Sequence, residues 1–106
     1  MIRYKFSKPD ANQATLVSYL RALGASFAHT HTIPGALDGI VGCAGIDQRV
    51  EIKDSTKPPS AKRLTDLEQK TFDEWKGRPP VVIETKEDCE TLINTLRREA
   101  FILKSR

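Results

Sequence analysis

Residues 36–54, ALDGIVGCAGIDQRVEIKD, hold two alternating apolar runs on either side of a short glycine-containing link, and this pattern most narrows the folds open to the chain. Strands are expected over Ala36–Gly42 and Gln48–Asp54, joined by Cys43-Ala44-Gly45-Ile46-Asp47. Runs of this kind with so short a connection form a β-hairpin. With the turn centred between Ala44 and Gly45, Asp38 lies across from Glu51 and Leu37 across from Ile52. Strand alternation then puts Leu37, Gly39, Val41, Val50 and Ile52 on one face, and Asp38, Ile40, Glu51 and Lys53 on the other. A slip of one residue would part the two acids, because it sends every side chain to the opposite face.

The remaining elements follow from periodicity and punctuation. A helix is expected from Ala11 to Leu23, capped by Asp10 and stopped by Gly24, with Leu16, Val17, Leu20 and Leu23 as its apolar stripe. Ala25–Ile33 alternates loosely and reads as a strand that Pro34-Gly35 breaks. Ser55–Ser60 is a polar loop, and Thr65-Asp66-Leu67-Glu68 has the form of a capping box opening a helix that runs to about Lys76. Pro79-Pro80 leads into a short buried strand, Val81–Glu84. Thr85 and Asp88 cap a last helix that turns Cys89, Leu92, Ile93 and Leu96 inward. The order α-β-β-β-α-β-α predicts a single α/β domain over residues 1–106, with a mixed central sheet flanked by helices. At 106 residues the chain can bury a modest core.

With 39% apolar and 29% charged residues the composition is that of a soluble globular protein, and no apolar run is long enough to cross a bilayer. Neither a membrane partner nor a leader is expected, and the expected location is cytoplasmic. Cys43 and Cys89 form no CxxC pair, so two free thiols are expected rather than a zinc or redox site. The net charge of +3 leans only mildly toward an anionic partner.

The hairpin carries the chemistry. Two carboxylates directly opposed on a sheet repel and destabilise it. Mg²⁺ binds one or two carboxylates while keeping several waters, so a cation between Asp38 and Glu51 would turn the repulsion into coordination. Lys53 on the same face could hold a water or stabilise negative charge on a phosphate. The plain alternative is a solvated strand face with a weak ion pair. His29 and His31 share a face but lack a third ligand, and Trp75 reads as a core residue on the stripe of Leu67 and Phe72.

These residues resemble the PD-(D/E)XK nuclease superfamily. The first half is a degenerate Pro34-Gly35-Ala36-Leu37-Asp38 and the second half is Glu51-Ile52-Lys53. Within it the chain is similar to small phage-type nucleases related to the VRR-NUC domain and to Holliday-junction resolvases. The likeness extends to Asp10-Ala11-Asn12-Gln13, to the run from Lys57 to Thr65, and to Gln69 and Trp75-Lys76-Gly77. The resemblance implies a restriction-endonuclease-like core and a Mg²⁺- or Mn²⁺-dependent DNA endonuclease acting on branched, junction or flap DNA. It further implies that Asp38, Glu51 and the Ile52 backbone carbonyl bind metal, that Lys53 is the catalytic lysine, and that Gln69 supports the site. Asn12 and Gln13 stand where many relatives offer a further carboxylate, so one metal is expected to bind firmly and a second only with substrate phosphate. Lys57, Ser60, Lys62 and Arg63 are the expected DNA contacts. A junction has two strands to cut, so a homodimer is expected. The alternative is a nuclease-like DNA-binding or phage accessory module without turnover.

Overall fold

The computed structural model describes residues 11–105, so the expected Asp10 cap lies outside the described residues. Helix α1 (Ala11–Ala22) leads to β1 (Ser26–His29), β2 (Gly39–Cys43) and β3 (Ile46–Ile52). A single 3-10 turn at Pro59–Ala61 precedes α2 (Asp66–Glu74), and β4 (Val81–Ile83) and α3 (Lys86–Lys104) complete the chain. The order is the one expected from the sequence.

The hairpin sets the sheet. Ala44 and Gly45 both take positive φ, 54° and 82°, as a two-residue turn whose twist matches its flanking strands requires. The pairing runs from Cys43 opposite Ile46 to Gly39 opposite Val50, so its continuation places Asp38 against Glu51 in the expected register. β1 pairs antiparallel with β2, and β4 pairs parallel with β3 after the crossover through α2. The described residues form a small α/β domain with a four-stranded mixed sheet in the order β1-β2-β3-β4 and three helices.

One sheet face holds the core. Val41, Cys43, Val50, Ile52 and Ile83 pack against Leu16, Val17 and Leu20 of α1 and Cys89, Leu92, Ile93 and Leu96 of α3. Capping boxes form at Thr65 with Glu68 and at Thr85 with Asp88. Both cysteines are free and buried. Among the described residues no helix is long and apolar enough to cross a membrane.

Two expectations are corrected. β1 stops at His29 rather than Ile33, because the chain turns where the Ile33 N–H bonds the Thr30 carbonyl at 3.0 Å and the Thr30 hydroxyl bonds the Leu37 carbonyl. Trp75 is not a core residue. α2 ends at Glu74, Trp75 caps it in extended conformation, and none of the helix's residues is buried. The indole instead lies against Arg49 on the polar face of β3.

Gly39 starts β2 directly after Asp38, and a Cβ there would lie 2.3 Å from the Phe27 ring and 2.7 Å from the Ala28 carbonyl oxygen. The Ala28 oxygen belongs to the paired backbone, so it cannot swing aside as a side chain could. Gly39→Ala is therefore expected to destabilise the fold by about 1–3 kcal/mol, the usual cost of overpacking. Urea unfolding checks this, and an unchanged midpoint would contradict the close approach of β1 to β2.

Candidate active site

The two strand acids meet through the backbone. The Asp38 N–H donates to Glu51 Oε1 at 3.2 Å, and the Ile52 N–H donates to Asp38 Oδ2 at 2.7 Å. Each carboxylate thus accepts from a backbone N–H of the facing segment, extending the β2–β3 pairing one step beyond its ladder. Glu51 is only 3% exposed. Lys53, two residues on and so on the same face, holds its Nζ 3.1 Å from Glu51 Oε2.

A third acid joins from α2. Glu68 Oε1 lies 3.2 Å from Lys53 Nζ and also accepts the Thr65 N–H at 2.8 Å. One oxygen therefore closes the helix cap and holds the lysine. Sequence reading assigned Glu68 to the cap alone. The signal for its second role was the box itself, whose acid points back toward the helix start. Gln69, the expected supporting residue, is exposed and donates to Asp73 Oδ1 at 2.9 Å, so the structure brings Glu68 rather than Gln69 to the lysine.

Asn12 reaches the same region from α1. Its Nδ2 donates to the Lys53 carbonyl at 2.8 Å, while the Lys53 N–H donates to the Ile83 carbonyl at 3.0 Å. The amide fixes the end of β3 where a helix carboxylate would have added charge, and Gln13 beside it is buried. In the loop beyond β3, Lys57, Ser60 and Arg63 are exposed, and Lys62 Nζ lies 3.4 Å from Glu84 Oε2. His29 and His31 have ring centroids 5.7 Å apart.

Burial, the hydrogen bond to Glu68 and the nearby Asp38 charge push the Glu51 carboxyl up to about 9, so it keeps its proton at neutral pH. For Glu68, burial would raise the carboxyl, but hydrogen bonds from Glu51, the Thr65 N–H and Lys53 outweigh it and hold the group below the ordinary range. Burial would lower Lys53, but Glu51 and Glu68 outweigh it and push the ammonium up. Of the two acids at Lys53, Glu68 thus gives up its proton first and Glu51 last.

Among the described residues no group of three or more His, Cys, Asp or Glu side chains has the geometry of a metal site. Asp38 and Glu51 remain as a pair of carboxylates, a number that Mg²⁺ takes alongside its waters. The residues fit such an ion on chemical grounds. Glu51 is buried beside two other acids, where a divalent cation would favour its ionised form and expel its proton. No protein-family model, curated protein or solved structure matches this chain significantly.

The sign of the pH dependence follows. Glu51 binds its proton more tightly in the folded chain, so that contribution is full below the ordinary glutamate range and is lost as pH rises toward about 9. Glu51→Gln removes this loss while keeping the side chain's shape. The variant is expected to gain about 1–3 kcal/mol on the wild type between mildly acidic and mildly alkaline metal-free buffer. Denaturant unfolding across that range checks it, and parallel stability curves would contradict the buried protonated acid.

Proposed function

We propose that this chain is a Mg²⁺- or Mn²⁺-dependent DNA endonuclease built on a restriction-endonuclease-like core of the PD-(D/E)XK type. The observation that carries the reading is the hairpin register, which brings Asp38 and Glu51 together and sets Lys53 at 3.1 Å from Glu51. Support also comes from the topology, an antiparallel meander whose third strand pairs in parallel with a fourth reached through α2.

Asp38, Glu51 and the Ile52 carbonyl would hold the cation. When bound, that ion supplies positive charge to a scissile phosphate and favours attack by water. Lys53 is the group that meets developing negative charge, and Glu68 and Glu51 position its ammonium before substrate arrives. Asn12 and the Ile83 carbonyl hold the strand end that carries it. Lys57, Ser60, Lys62 and Arg63 follow β3 on one loop and supply contacts to the DNA backbone. Branched, junction or flap DNA is the substrate class of this reading, and a homodimer would supply the two sites that a junction needs.

One observation favours a second reading, a nuclease-like binding module without turnover. Lys53 is already engaged by two acids, and Glu51 holds a proton. Cleavage of labelled four-way-junction, flap, single-stranded and duplex DNA with Mg²⁺, Mn²⁺ or EDTA separates the two. Metal-dependent cutting that Lys53→Ala lowers at least about 100-fold is expected. A folded protein that cuts none of these substrates with either metal would leave the binding module.

A further inference from the structure

We propose that Trp75, backed by Arg49, is a stacking site for an unpaired nucleobase, which deepens the nucleic-acid reading above and rests on it. The first observation is where the chain's only tryptophan sits. Trp75 caps α2 with φ −65° and ψ 121°, which ends the helix and lays the ring on the polar side of the sheet instead of in the core. It remains 45% exposed.

The second observation is the cation beneath it. The Arg49 guanidinium carbon lies 4.1 Å from the indole centroid, and the Arg49 Nε is buried without a hydrogen-bond partner among the described residues. None of the ion pairs among the described residues uses Arg49. A positive charge here is matched to an aromatic face rather than to a carboxylate. Arg49 shares a face of β3 with Glu51 two residues on, so the ring sits over a strand position about 7 Å from the buried acid.

The third observation is the surface beside the ring. A cavity of about 310 Å³ is lined by Gly35, Leu67, Lys70, Thr71, Glu74 and Trp75. Two of these residues are joined where the Thr71 hydroxyl donates to the Gly35 carbonyl at 2.7 Å. Leu67, at 51% exposed, adds apolar surface, and Lys70 and Glu74 put one charge of each sign in the lining.

A part-exposed aromatic surface with a cation against it suits a nucleobase, since bases stack on aromatic rings whatever their identity. Bases within a duplex are already stacked on their neighbours, so the site selects a nucleotide that has left the helix, as at a flap or branch point.

Trp75 reports on its own occupancy. In EDTA, a single-stranded oligothymidylate of about twelve nucleotides is expected to quench the tryptophan emission saturably, while an abasic strand of equal length and a blunt duplex quench it little. In anisotropy with a labelled strand, Trp75→Leu is expected to lose about tenfold in affinity and Trp75→Phe to keep most of it. Equal binding of the abasic strand, unchanged affinity in Trp75→Leu, or emission that tracks protein concentration alone would each overturn the proposal. Because metal is absent, the result stands apart from turnover. Quenching by a protein that cuts nothing in Mg²⁺ sinks the nuclease and keeps the stacking site, whereas cutting without quenching sinks only the stacking site.

Discussion

The reciprocal bonds between Asp38 and Glu51 are the constraint on which the rest of the molecule depends. Opposed acids on a sheet ordinarily repel. Here each accepts a backbone N–H from the other strand's segment, and a typical hydrogen bond contributes about 0.5–1.5 kcal/mol. Glu51 completes the accommodation by keeping its proton. From this pair the register of β2 and β3 continues, Lys53 is set at the end of β3, and α2 is drawn in through Glu68.

The two faces of the sheet are covered differently. One is dry and packed by α1 and α3 around Val41, Val50 and Ile83. The other carries Arg49, Glu51 and Lys53, covered by a nine-residue helix that buries none of its own residues. Glu68 over Lys53 and Trp75 over Arg49 lie two helical turns apart on α2, which orients that helix against β3 through polar and cation–π contacts rather than apolar burial. Elements held this thinly open at low free energy.

Much of this was legible in the sequence, and the reasons differ by residue. Ala44-Gly45 fixed the hairpin register, since a two-residue turn leaves a single pairing once the apolar face is chosen. Thr65 and Thr85 announced their caps through local chemistry, which needs no tertiary knowledge. Trp75 was misplaced because its spacing with Leu67 and Phe72 imitates a core stripe, and spacing does not say whether a helix faces the apolar or the polar side of a sheet. Glu68 was seen as a cap and missed at the lysine, because that contact depends on how α2 lies across β3. The resemblance points to Gln69, but one helical position is 100° of rotation, and its amide is exposed and bonded to Asp73.

The measurement that tests the account most directly is the titration of the Glu51 carboxyl itself, followed by carbon-13 NMR of selectively labelled protein, in EDTA and in Mg²⁺. The account predicts a Glu51 midpoint near the value of about 9 without metal, moved to lower pH by Mg²⁺ in the wild type but not in Asp38→Asn. A Glu51 resonance that titrates in the ordinary glutamate range, indifferent to Mg²⁺, would mean that the two acids form no shared site and that the hairpin's charges are only a solvated face.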